Sequence, residues 1–162
     1  MADDPLITYL HDHLTGSNFA VGLLETWHRE HADHPSGIFA EALRNEIERD
    51  RIELRQLIER LGETSHRVKA TVGRFAEKAR KLKFNSSEPV SLKIFERLEM
   101  LALGILGKPA RWEVLRVLAS VDSRLWHLDF ERLTTRAKTL HVQVEAHRVS
   151  LAREVFARRG DE

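Results

Sequence analysis

Residues Gly37–Leu61, GIFAEALRNEIERDRIELRQLIERL, give the clearest indication of how this chain folds. Its apolar side chains recur at three- and four-residue intervals, which is the spacing of one face of an α-helix. The members of this apolar face are Phe39, Leu43, Ile47, Leu54, Leu57, Ile58 and Leu61. A helix with one apolar face buries that face against other elements, so the stretch predicts a packed helical protein.

One carboxylate, Asp50, falls on this apolar face between Ile47 and Leu54. An ionised carboxylate inside a protein is costly unless it is paired. Asp50 therefore needs a basic, hydroxyl or metal partner, or it must keep its proton. Similar positions on other apolar faces extend this to a predicted buried polar network of Asp50, Asp129, Arg136 and Ser17.

The composition restricts the class of protein. The chain has 162 residues, of which 42% are hydrophobic and 31% are charged, and this is typical of one globular domain. The net charge of +1 creates no general attraction to nucleic acid or anionic lipid, and the lack of cysteine excludes disulfides and thiolate chemistry. We expect a cytoplasmic protein with no membrane association, because no secretory signal or membrane span is apparent.

The periodicity predicts a single all-α domain over residues 1–162. The predicted helices cover about 5–31, 37–61, 65–84, 91–119 and 122–158. Pro35 should end the first helix, Gly62 should follow the second, and Pro109 should kink or restart the fourth. We therefore expect two antiparallel hairpins joined by a long crossover that carries an extra helix.

Three segments show a family resemblance: YLHDHLTGS at residues 9–17, EIERD at 46–50 and GILGKPARW at 104–112. With them the chain resembles the ferritin-like superfamily, and more closely a group of small bacterial ferritin-like proteins of unknown function. The resemblance in layout covers nearly the whole chain, and it implies a ferritin-like four-helix bundle.

The resemblance also indicates where a di-metal site would lie. Di-metal members of the superfamily use a glutamate on each of two helices and a Glu-x-x-His motif on each of the others. This sequence has Glu46-x-x-Arg49 and Glu145-x-x-Arg148 at the corresponding places. Arginine stays protonated and cannot ligate a metal, so the expectation is a protein without catalytic residues or a cofactor.

A relocated metal site is the first alternative. Glu25-x-x-His28 lies on the first predicted helix, and Asp50 and Asp129 could add carboxylates. These four residues are weak candidates for iron or manganese ligands in an oxidase-type enzyme. His28, together with His31 and His34, also forms a histidine cluster at a predicted helix end.

Nucleic-acid binding through the predicted crossover helix is the second alternative. One face of that helix is strongly basic, with Arg67, Lys69, Arg74, Lys78 and Lys81. Basic faces of this kind contact phosphate groups, although more often they are simply solvated.

The leading interpretation is an interaction protein or a stress-associated protein. We expect a homodimer formed through the apolar surface around Met100 to Trp112, where the sequence is apolar nearly all round. The sequence does not identify a protein partner.

Overall fold

The computed structural model describes residues 4–62 and 89–157, and these residues contain helices and turns but no strand. The α-helices are α1 (Pro5–Glu30), α2 (Pro35–Arg60), α3 (Val90–Leu118) and α4 (Phe130–Phe156), with a short 3-10 helix at Ser123–Leu125. The prediction of an all-α protein is therefore confirmed for this part of the chain. None of the described helices is long and apolar enough to cross a membrane.

The chain divides into two compact units, Met1–Lys83 and Phe84–Glu162. In the first unit α1 packs against α2, and in the second unit α3 packs against α4. The predicted crossover helix at about residues 65–84, with its basic face, lies outside the described residues.

The first unit begins with a capped helix. Asp4 precedes α1, and its Oδ1 accepts a hydrogen bond of 2.9 Å from the Leu6 amide. α2 starts at Pro35, slightly earlier than predicted, because proline suits the first helical turn. His34 caps this helix, since its Nδ1 lies 3.2 Å from the Ser36 amide nitrogen and accepts its hydrogen.

The core of the first unit is built from the apolar faces of its two helices. The α2 residues buried in it include most of the predicted face, whereas Phe39 is half-buried. The buried apolar residues are Leu10, Leu14, Val21, Leu24 and Trp27 of α1, and Ala40, Leu43, Ile47, Leu54, Leu57 and Ile58 of α2.

In the second unit α3 is one continuous helix. It runs through Pro109 as a single helix, so of the two predicted alternatives the helix does not restart at this proline. A proline inside a helix removes one backbone donor and crowds the carbonyl one turn before it, which is why the sequence predicts a disturbance at this residue. The predicted inner face of this helix is buried, with Ile94, Phe95, Leu98, Leu101, Ala102 and Ile105.

The last helix begins at Phe130, later than the predicted residue 122. Two aspartates explain the difference because each caps a separate element. The Asp122 carboxylate accepts from the Arg124 amide at 3.0 Å and starts the 3-10 helix. The Asp129 carboxylate accepts from the Arg132 amide, also at 3.0 Å, and starts α4.

Candidate interaction surface

Asp50 and Ser17 are both buried in the first unit. Asp50 is 5% exposed and lies between the buried residues Ile47 and Leu54, as its spacing predicts. The Ser17 hydroxyl donates a hydrogen bond of 3.1 Å to the His13 carbonyl of its own helix. A hydroxyl has one proton, and Ser17 already donates it to His13. Ser17 therefore cannot also donate a hydrogen bond to the Asp50 carboxylate.

A polar link joins α1 and α2 one residue after Asp50. The Nη1 group of Arg51 donates a hydrogen bond of 2.8 Å to the side-chain oxygen of Asn18. The Nη2 atom of Arg51 lies 2.5 Å from Oε1 of Glu48. This link was not predicted from the sequence. The i,i+3 spacing of Glu48 and Arg51 was its only local signal, since the position of Asn18 depends on the helix pairing.

Glu25 and His28, two of the metal-ligand candidates, are engaged in different contacts. Glu25 is exposed, and its Oε1 lies 3.7 Å from Nη1 of Arg44. The His28 Nδ1 lies 3.0 Å from the Gly37 carbonyl oxygen. A carbonyl only accepts, so His28 must have a hydrogen on Nδ1. This contact fastens the end of α1 to the start of α2.

Asp129 is exposed, whereas the sequence analysis placed it in a buried network. That placement is wrong because Asp129 precedes α4 and turns its carboxylate onto the helix amides. Arg136 is half-buried on α4. Of the residues in the predicted buried network, Asp50 and Ser17 are therefore buried and Asp129 is not.

Both Glu-x-x-Arg motifs form ion pairs within one helix. On α2, Arg49 donates a hydrogen bond of 2.8 Å to Glu46. On α4, Arg148 donates two hydrogen bonds of 2.8 Å to Glu145. The Arg148 hydrogen bonds hold the pKa of the Glu145 carboxyl below its usual range. These glutamates already have cationic partners at the places where the resemblance indicates metal ligands.

Three cationic side chains are buried along α3: Arg97, Lys108 and Arg111. Arg111 is 1% exposed, and its guanidinium carbon lies 4.2 Å from the centre of the Trp112 ring. Such contacts combine packing of the aliphatic stem with cation–π attraction. None of these three residues was predicted to be buried, since a long cationic side chain in a helix is most often solvated.

The opposite side of α3 has a continuous apolar face that is exposed. We call it the outer stripe, and its members are Leu103, Leu106, Ala110, Val114 and Val117. The four larger side chains are between 44% and 66% exposed. Their spacing follows the helical repeat, so they form one surface and not scattered positions. Val121, 84% exposed, continues this surface in the turn after α3.

The charged residues near the outer stripe pair with each other or with α4. The Arg116 Nε donates 3.0 Å to Glu113, and this hydrogen bond holds the pKa of the Glu113 carboxyl below its usual range. Glu99 lies 3.8 Å from Arg148 of α4. Charged partners therefore border the stripe, and none of its own positions is charged.

A second, weaker apolar line follows the outside of α4. Val142, Val149 and Phe156 are exposed at seven-residue intervals. The Phe156 ring, however, packs edge-on against the Phe95 ring of α3, with 5.0 Å between their centres. Polar residues also interrupt this line, so the outer stripe of α3 is the more continuous apolar surface.

Within residues 4–62 and 89–157, no three His, Asp, Glu or Cys side chains are grouped so that they could hold a metal ion. No protein-family model, curated protein or solved structure matches this chain.

Proposed function

We propose that the chain is a non-catalytic, ferritin-like helical bundle that acts as an interaction protein through the outer stripe. The stripe is the observation that supports this proposal most directly. Apolar side chains in water are disfavoured by about 25 cal/mol per Å² of exposed surface. A contiguous exposed face of this kind typically marks a surface that another molecule covers.

The two Glu-x-x-Arg ion pairs support the absence of a di-metal site in the proposed bundle. A di-metal site needs carboxylates and imidazoles whose lone pairs converge on the ions. Arg49 and Arg148 supply only donors, and they already engage Glu46 and Glu145. A metal ion would have to displace both ion pairs and would still lack the histidine ligands.

The order of the helices supports the ferritin-like part of the proposal. Two packed helical pairs, α1 with α2 and α3 with α4, are separated by the segment 61–89. Two antiparallel hairpins with such a separation are what a bundle with one long crossover requires. Nucleic-acid binding through Arg67 to Lys81 stays a prediction, since these residues lie outside the described part of the chain.

The proposal can be tested by removing the apolar character of the outer stripe. In protein dilute enough that no other molecule covers the stripe, combining Leu103→Glu with Val117→Glu should lower the fluorescence of a dye that binds apolar surfaces by roughly half. Both side chains are exposed, and they form the ends of the stripe. Circular dichroism should show an unchanged helix content, since neither side chain is part of the core.

The matched control changes two exposed isoleucines outside the stripe. Ile38→Glu with Ile52→Glu adds the same charge on α2, where these two large exposed apolar residues lie far apart along the helix. This variant should leave dye binding unchanged. Equal dye binding by the stripe variant and the wild type would contradict the proposed function.

A further inference from the structure

We propose that the partner of the outer stripe is a second copy of this chain, packed antiparallel on α3 about a two-fold axis at Ala110. This inference rests on the proposed function, because it names what the stripe binds. The stripe residues follow one another at intervals of three, four, four and three positions. When two copies of the helix pack antiparallel and cross at Ala110, each stripe residue of one copy therefore faces a stripe residue of the other.

This symmetry is what a dimer interface requires. Two copies related by a two-fold axis use the same patch, which must be complementary to itself. Antiparallel packing about Ala110 sets Leu103 against Val117 and Leu106 against Val114 of the second copy. Each contact joins a longer and a shorter side chain, and the small Ala110 lies at the crossing point. The distance between packed helices depends on the side chains at their contact, so alanine permits close approach.

The size of the surface suits a weak dimer. The exposed fractions of the stripe residues correspond to on the order of 400 Å² of apolar surface per chain, a size that is often functional on a single protein. Two such faces with their polar borders would bury about 1,000 Å² in total, at the low end for specific interfaces. We therefore expect association that depends on protein concentration.

The charges on α3 favour the antiparallel orientation. A parallel dimer in register would place Glu99 against Glu99 and Glu113 against Glu113, and like charges across an interface are costly. Antiparallel packing about Ala110 instead places Glu99 opposite Val121 and Glu113 opposite Gly107. Between residues 100 and 112, all exposed positions of α3 are uncharged, so the centre of the dimer has no opposing charges.

Sedimentation equilibrium of the full chain, over a wide range of protein concentration, tests this inference. The wild type should convert from monomer to dimer as its concentration rises. Leu106→Glu alone, or Val114→Lys alone, should weaken the dimer at least about tenfold, because each buries an unpaired charge. The two changes combined in one chain should restore most of the affinity, since the opposite charges meet across the antiparallel interface.

A matched double variant controls for general charge effects. Leu106→Glu with Val117→Lys introduces the same charges on the stripe, but these positions do not face each other in the proposed register. This variant should stay monomeric. Equal rescue by both double variants, or by neither, would overturn the antiparallel register about Ala110.

Sedimentation and dye binding together distinguish self-association from binding of a different molecule to the stripe. A wild-type chain that is monomeric at every concentration would overturn self-association. If dye binding still depended on Leu103 and Val117, the stripe would remain a contact surface for a different molecule. If dye binding were insensitive to both residues, the inference and the proposed function would both be wrong.

Discussion

At the scale of single residues, His147 provides a test of packing in the second unit. It lies half-buried on α4, and burial lowers the pKa of its imidazole because the cation is poorly solvated there. The unfolded chain therefore binds a proton at this residue more readily than the folded chain does. Its contribution to stability is complete above the ordinary histidine pKa, and it falls as the pH drops through the range just below that value.

We expect His147 to contribute a decrease in the free energy of unfolding between about pH 7.5 and pH 5.5. The loss is small because part of the side chain stays in water. Urea denaturation at both pH values would measure it. His147→Gln removes the titrating group, so this variant should lose less stability than the wild type. Identical losses in the two proteins would show that protonation of His147 does not change the stability of the folded chain.

Asp50 and Asp129 show how far residue spacing predicts burial. Asp50 lies well inside α2, where the neighbouring turns fix its direction, and its burial follows from the position of Ile47 and Leu54. Asp129 also fits an apolar spacing, but only if the helix already exists at that residue. Aspartate favours the capping position before a helix, where its carboxylate accepts a hydrogen bond from a backbone amide. At Asp129 this hydrogen bond from the Arg132 amide marks the start of α4, so the apolar spacing of the helix does not extend to Asp129.

At the scale of helices and turns, the junction between α1 and α2 depends on Gly37. A Cβ atom added at this residue would lie 1.9 Å from the His31 carbonyl oxygen, which belongs to the backbone of the turn. Glycine thus lets the first turn of α2 pack directly on the end of the turn. The sequence indicates a turn here, but the close approach depends on how the two helices meet.

We predict that Gly37→Ala lowers the free energy of unfolding by about 1–3 kcal/mol, although alanine is normally the better helix former. Gly22→Ala on α1 is the matched control, because a Cβ atom there meets no atom within 4 Å. The control should raise stability by up to about 1 kcal/mol. Chemical denaturation of both variants measures the difference. Stabilisation by Gly37→Ala would contradict the close approach at His31.

Helix existence was more predictable than helix ends. The apolar faces of α2 and α3 predict their buried residues well, because burial of one face dominates the choice of residues there. The start of α4 was predicted too early, and the sequence left open whether Pro109 kinks or restarts α3. Both depend on small differences between local hydrogen bonds, which periodicity does not contain.

At the scale of the whole chain, the surface could be anticipated only in part. The apolar run around Met100 to Trp112 predicts that more than one side of α3 is apolar. It does not predict which residues are covered, since that depends on the packing of α3 against α4. The structure shows that the outer stripe, which begins at Leu103 and ends at Val117, is exposed. Lys108 and Arg111, which lie between these residues in the sequence, are on the buried side of the helix.

We propose that this chain acts through its outer surface and not through a metal site in its interior. Elemental analysis of the full-length protein, purified without an affinity tag or a chelator, tests it most directly. The ion pairs at Glu46 and Glu145 predict a well-folded protein without bound iron or manganese. Stoichiometric, tightly held iron or manganese would contradict the claim and would favour the oxidase-type alternative.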